Sequence, residues 1–151
     1  MPELKSNFLF TIRISVDELC DIGSTPFGTR HIDMLGEGSF DGPKLKGMVI
    51  GGMDQKIFRS DGAMNPNVRL VLKTDDEALI YMFYTGIRHG SEEVMERIAS
   101  GQEVDPSEYY LRNTPYFETS APQYDWINRI VCVGVGRRMP DYATYDIFEI
   151  L

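Results

Sequence analysis

The chain is poor in the residues that build metal sites and disulfides. Of its 151 residues, only two are cysteine, two are histidine and one is tryptophan. Cys20 and Cys132 stand far apart, so no C-x-x-C pair is present. His31 and His89 also lack a spacing at which two imidazoles share one metal ion, which argues against a catalytic metal site. We therefore expect neither a metal nor another cofactor.

Long apolar runs are missing as well. No 18-residue apolar span and no signal-peptide or transit-peptide pattern occurs, so we expect a cytoplasmic protein without a membrane partner. Cys132 lies within the short apolar run INRIVCVGV, which favours a buried free thiol over a disulfide or a nucleophile. A free thiol fits a reducing compartment.

Basic residues are outnumbered. The chain has 15 Lys and Arg residues and 23 Asp and Glu residues, which gives a formal net charge of −8. Nucleic acid is therefore an improbable partner, because phosphate binding needs a basic face. A small organic molecule is the expected ligand, and one or two buried arginines would allow it to be anionic. Because two-fold pairs are the commonest oligomers, we expect a homodimer.

Aromatic residues and glycine are plentiful, with eight Tyr, eight Phe and 14 Gly, and they favour strands joined by tight turns. The residues from Phe8 to Val16 alternate, which places Phe8, Phe10, Ile12, Ile14 and Val16 on one face. Turn signals recur at the interval typical of sandwiches and barrels. Further strands are predicted over 29–37, 45–50, 54–59, 68–73, 78–85, 109–119, 126–135 and 144–150.

One helix is predicted over about residues 92–100. Ser91 can cap its first turn, two glutamates suit the positive end of its dipole, and Gly101 can end it. The whole chain, 1–151, is thus a single, mainly β domain. We predict an antiparallel β-barrel of about 8–10 strands, since closure removes unpaired sheet edges. An open β-sandwich is the alternative.

A polar segment, DPSEYYLRNTPYFET, follows the helix and is costly to bury unless its charges meet partners. Alternation puts Glu108, Tyr110 and Arg112 on one face. On the predicted next strand, Trp126 and Asn128 share a face. If both faces line one cavity, these groups can orient a polar or aromatic ligand. The alternative is a surface ion pair between Glu108 and Arg112, with Trp126 in the core.

Glu118 is the first candidate for acid–base catalysis. Its neighbours are Tyr116, Phe117 and Thr119, and desolvation among them would raise the pKa of the carboxyl. Alternatively, its carboxylate pairs with a nearby arginine such as Arg112 or Arg129.

Three further residues are candidates for a barrel site. Arg30 follows a Pro-Phe-Gly turn signal and Asp54 follows Gly51-Gly52, so both are expected to reach into the barrel mouth. The alternative is that both are turn or rim charges. Tyr81 lies on an aromatic strand, where it either contacts the substrate or packs in the core.

Several segments, read in order and spacing, resemble the UPF0311 family, also called domain of unknown function 3237. The similarity extends from about Phe8 to Ile150, and Glu77 stands where the family's turn is expected to have glycine. The segments that carry the resemblance are GPKLKG at 42–47, TDDEALIY at 74–81, DPSEYYLR at 105–112, PYFET at 115–119 and WIN at 126–128.

The resemblance implies a single-domain, largely antiparallel β-barrel. It also implies small-molecule metabolism in microbes. It carries no established catalytic residues over to this chain.

Two main hypotheses for function follow. In the first, a cofactor-free isomerase, cyclase or lyase acts on a small carbonyl or aromatic compound. Glu118 or Asp54 moves a proton, while Tyr110, Arg112 and Asn128 hold the developing oxyanion. In the second, the same cavity binds a small ligand without catalysis. A structural subunit that uses the aromatic strand 81–84 as its interface is a third reading.

Overall fold

A computed structural model describes residues 2–151. It contains nine β-strands, one α-helix and two 3₁₀ segments. The strands are β1 Ser6–Thr25, β2 Gly28–Asp41, β3 Lys46–Phe58, β4 Met64–Asn65, β5 Asn67–Thr74, β6 Leu79–Gly90, β7 Tyr109–Glu118, β8 Cys132–Arg138 and β9 Tyr142–Ile150. The helix α1 is Glu92–Ala99, and the 3₁₀ segments are Pro106–Glu108 and Pro122–Arg129.

Eight long strands close into a barrel. The antiparallel ring runs β1-β2-β3-β5-β6-β7-β8-β9 and returns to β1. The two-residue strand β4 bridges β3 and β6 near one end. The predicted closed antiparallel barrel is therefore confirmed, and the open sandwich is not the fold.

Aromatic and aliphatic side chains fill one end of the barrel. The Phe10 ring lies 5.5 Å from Phe40 and 5.8 Å from Phe117, centroid to centroid, and all three are buried. The second 3₁₀ segment covers this end and buries Ile127. Cys132 is buried with a free thiol, as predicted. This packed end leaves the opposite end for polar groups.

Register shifts in the sheet, among them one on β1 and one on β3, change which side chains point inward. A register shift between Phe8 and Phe10 leaves Phe8 44% exposed, so the prediction that it shares the buried face of β1 is wrong. A second shift lies at Gly51, whose φ of +151° suits glycine. Val49 and Asp54 both point inward although they are an odd number of residues apart, because the Gly51 bulge reverses the alternation.

The predicted strand over 126–135 is half wrong. Only its second half is β8, and Trp126 and Asn128 lie in the second 3₁₀ segment. That segment has a proline in its first turn and an ion pair between Asp125 and Arg129, with 2.6 Å between carboxylate oxygen and guanidinium nitrogen. Both features stabilise helical backbone more than an extended strand.

Pro115 does not interrupt β7. Pro115 pairs with Tyr84 of β6, while the pairing of β7 with β8 involves only Arg112 and Asn113. A proline lacks only the N–H group, so it is tolerated where the ladder on one side has ended.

The predicted helix is confirmed as α1. The Ser91 hydroxyl accepts a hydrogen bond from the Val94 backbone N–H at 3.2 Å, and Gly101 follows the helix with a φ of +83°. Within residues 2–151, no helix has both the length and the apolar composition needed to cross a membrane.

Candidate functional site

A polar cavity occupies the barrel end opposite the aromatic core. Its volume is about 40 Å³, which is room for roughly three water molecules. The apolar part of its wall is formed by Ile14, Val16, Leu35, Met64, Pro66, Val68, Leu111 and Ala143. The polar part is formed by Asp33, Asp54, Lys56, Tyr84, Arg88, Arg138 and Tyr145. We call this space the interior cavity.

Neighbouring strands bring three of these charges together. Asp33 on β2 lies opposite Asp54 on β3 in the register of the two strands. Lys56 lies two residues beyond Asp54, on the same face of β3. The Lys56 ammonium lies 2.6 Å from a carboxylate oxygen of Asp33, and both side chains are buried. The other carboxylate oxygen of Asp33 has no hydrogen-bond partner among residues 2–151.

The surroundings of Asp54 change the acidity of its carboxyl group. Burial raises its pKa above the ordinary value, and the nearby charge of Asp33 adds to the rise. A hydrogen bond from the Asn67 backbone N–H, at 3.0 Å, and the charges of Lys56 and Arg88 oppose it. A carboxyl group with a raised pKa is suited to exchange protons near neutral pH.

Two tyrosines share the interior cavity with Asp54. The rings of Tyr84 on β6 and Tyr145 on β9 lie 5.5 Å apart, centroid to centroid, and both are buried. Burial raises the pKa of both phenols, and the charge of Asp54 contributes to each shift. Both phenols therefore stay protonated at neutral pH and can donate hydrogen bonds to a ligand oxygen.

Two arginines complete the polar wall. Arg88 is 4% exposed and projects inward from β6, in phase with Tyr84. Arg138 ends β8, where its backbone N–H donates to the Tyr109 hydroxyl at 2.8 Å. Burial lowers the pKa of the Arg88 guanidinium, and the positive charge of Arg138 lowers it further. Both side chains line the interior cavity.

Of the eight residues predicted for the site, Asp54 alone lines the interior cavity. Arg30 was expected to reach into the barrel mouth, but it does not line the interior cavity. Arg30 lies three residues before the inward-pointing Asp33 on β2, so its side chain is on the other face of the strand. Its guanidinium donates to the Gln55 carbonyl at 3.0 Å in an exposed position. The catalytic role of Asp54 stays a prediction.

The residues predicted for the site in the polar segment after the helix face outward. Tyr110 and Arg112 share a face, as alternation predicted, but it is the outer face of β7. The Arg112 guanidinium lies 4.6 Å from the centre of the Tyr110 ring and donates to the Leu111 carbonyl at 2.9 Å. Glu108 contacts Arg97 at 3.4 Å, so the alternative pairing of Glu108 with Arg112 is also wrong.

Glu118 is exposed on the outer surface, so the burial predicted for it is absent, although its predicted neighbours Tyr116 and Phe117 lie beside it. Tyr81 is likewise on the outer face, where its ring stacks on Phe83 at 5.0 Å, so it does not pack in the core. Together with Asn128, these residues line a surface groove of about 560 Å³.

Trp126 and Asn128 have structural contacts in the second 3₁₀ segment. The Asn128 side chain accepts from the Thr119 backbone N–H at 2.8 Å and donates to the Thr119 carbonyl at 3.0 Å. The Trp126 ring lies 4.9 Å from the Lys44 ammonium. Neither residue lines the interior cavity.

Sequence reasoning missed six polar residues of the interior cavity. A signal was present on β6, where Tyr84 and Arg88 lie on the same face as the apolar Ile80 and Met82. These two apolar residues mark that face as the inward one. No such signal existed for Arg138, which follows the outward Arg137 at a strand end. The others are Asp33, Lys56 and Tyr145. Within the described chain, 2–151, no three His, Cys, Asp or Glu side chains cluster as metal ligands.

Comparisons with known proteins show the chain's relatives. A family model described as a protein of unknown function, DUF3237, matches residues 4–150. A UPF0311 protein from Clostridium acetobutylicum is 34% identical over 152 residues, covering 99% of this chain and 96% of that protein.

Solved structures share the fold. A conserved protein of unknown function from Rhodopseudomonas palustris superposes with a TM-score of 0.96 at 30% identity, covering all of both chains. An enzyme from Penicillium herquei superposes with a TM-score of 0.71 at 18% identity, covering 97% of each chain, which shows a shared fold alone. The chain belongs to the DUF3237 family, whose members are also named UPF0311 proteins.

Proposed function

We propose that the protein is a cofactor-independent isomerase, cyclase or lyase that acts on a small carbonyl or aromatic compound whose reacting end enters the interior cavity. Asp54 serves as the general acid–base group, and the phenols of Tyr84 and Tyr145 donate hydrogen bonds to the substrate oxygen. The observation that carries the proposal is a carboxyl with a raised pKa that faces two buried phenols in one cavity.

These parts match what such reactions need. Isomerisation, cyclisation and elimination all require a proton to leave one atom and another to arrive elsewhere. A carboxyl accepts the proton as a carboxylate and returns it as a carboxylic acid, so one group performs both steps in turn. Hydrogen-bond donors placed where negative charge develops lower the barrier further.

Hydrogen–deuterium exchange tests the proposal before the natural substrate is identified. The protein is incubated in D₂O with a panel of small keto acids and phenols, and loss of C–H signals is followed by proton NMR. We expect the wild type to accelerate exchange in at least one compound, because deprotonation at carbon begins each of these reactions. Asp54→Asn should slow that exchange by about 10²–10⁴-fold.

Glu118→Gln is the matched control, because it makes the same carboxylate-to-amide change on the outer surface. Loss of exchange in Glu118→Gln with retention in Asp54→Asn would move the chemistry to the outer groove. Binding of several compounds without exchange in any of them would favour the alternative function, a non-catalytic small-ligand binding protein.

A further inference from the structure

We propose that Arg88 and Arg138 bind an anionic group of the ligand, a carboxylate or an enolate, in the interior cavity. This inference rests on the proposed function and deepens it, because it names the chemical class of the substrate. Two features of the cavity support it: an excess of positive charge, and guanidinium N–H groups that lack acceptors.

The wall of the cavity is more positive than negative. It has three cations, Lys56, Arg88 and Arg138, and two carboxyl groups, Asp33 and Asp54. Lys56 and Asp33 neutralise each other through their 2.6 Å contact. Two guanidinium groups then face one carboxyl, so the remaining charge is +1 when Asp54 is ionised and +2 when it is protonated. This excess lies inside a chain whose formal net charge is −8.

Both guanidinium groups have buried donors that are not used. Across residues 2–151, Nε of Arg88 and Nη1 of Arg138 have no hydrogen-bond partner. Neither arginine forms an ion pair within 4.0 Å in the same range. Buried polar groups in folded proteins are nearly always hydrogen-bonded. An anion between the two side chains would satisfy these donors and offset the mutual repulsion of the two charges.

The size of the cavity limits what enters it. A volume of about 40 Å³ accepts a carboxylate or enolate end and little more. The remainder of a larger ligand would extend past the mouth of the cavity. Because Asp54 lines the same cavity, an anion held by the two arginines lies beside the proposed acid–base group.

Propionate and its neutral isostere propionamide test the inference, because they share a shape and differ in charge. Binding is measured by NMR titration of the ¹⁵N-labelled protein. We expect propionate to shift amide signals near Arg88 and Arg138 in a saturable way and to bind at least about tenfold more tightly than propionamide. That ratio corresponds to one charge-assisted hydrogen bond.

Arg138→Gln should remove most of this difference, because it weakens propionate binding by a larger factor than propionamide binding. Arg137→Gln is the matched control, because it makes the same charge change on the same strand. Arg137 instead faces outward and contacts Asp146 at 3.3 Å. Arg138→Lys should retain part of the preference for propionate, since it keeps the charge and loses the planar fork.

Three outcomes would overturn the inference: equal affinity for the two compounds, no saturable binding of propionate, or equal losses in Arg137→Gln and Arg138→Gln. Asp54→Asn separates this inference from the proposed function. We expect that variant to bind propionate at least as tightly as the wild type, because it loses a nearby negative charge, while exchange at carbon is lost.

Discussion

At the scale of single residues, Lys56 and Asp33 form a buried ion pair in which each charge depends on the other for compensation. Their side chains are only 9% and 1% exposed. We expect Lys56→Met to lower the free energy of unfolding by about 3–5 kcal/mol, because Asp33 is left as an uncompensated buried charge. Replacing both residues, Lys56→Met with Asp33→Leu, should recover most of the loss. Urea denaturation measures each change.

Lys73 provides the control for this prediction. It contacts Glu77 at 2.9 Å, but the two side chains are 37% and 76% exposed. Lys73→Met should therefore change the free energy of unfolding by only about 0–1 kcal/mol. Equal effects at the two lysines, or a double variant no more stable than Lys56→Met, would show that the interior pair is not a buried ion pair.

Asp54 gives the stability of the protein a pH dependence with a definite sign. Its pKa is higher in the folded protein than in the unfolded chain, where it is near 3.8. The folded state thus binds more protons, and the stability associated with Asp54 is lost as pH rises through the folded pKa. Compared with Asp54→Asn, the wild type should lose stability as pH increases above about 4. Urea unfolding of both proteins across this range checks it. A difference that stays constant or grows in favour of the wild type would contradict the raised pKa.

At the scale of elements, alternation predicted which side chains share a face but not which face points inward. On β7 the grouping of Tyr110 with Arg112 is correct, yet the buried face belongs to Tyr109, Leu111 and Asn113. Polar and apolar residues occur on both faces of this strand, so hydrophobicity alone does not select one. On β3 the inward direction of Asp54 depends on the bulge at Gly51, a property of pairing with β5 that alternation does not show.

At the scale of the whole molecule, sequence predicted the closed barrel, the single helix and the family, because each depends on patterns spread over many residues. The polar wall of the interior cavity depends instead on side chains from β2, β3, β6, β8 and β9, which only the closed sheet brings together. Asp54 was found because it follows a glycine pair within its own strand. Tyr145 and Arg138 carry no comparable local signal.

Closure also brings the two ends of the barrel chain together. Ser6 of β1 pairs with Ile150 of β9, and the Leu151 backbone N–H donates to the Lys5 carbonyl at 2.9 Å. A circular permutant that joins these ends through a short Gly/Ser linker and opens the chain at the exposed turn after Thr25 keeps every pairing of the ring. We expect it to unfold in one cooperative transition with the wild-type urea m-value and to bind propionate.

The matched permutant opens the chain inside β3, after Gly52, where the strand pairs with β2 on one side and β5 on the other. This cut separates Val49, in the core, from Asp54 and Lys56, in the cavity. It should therefore abolish cooperative unfolding and propionate binding together. If both permutants behave alike, the continuity of β3 is not what holds the cavity's charges in place. If only the cut in β3 fails, the closed ring and the cavity form one structural unit, because the bulged strand that completes the ring also supplies the proposed acid–base group.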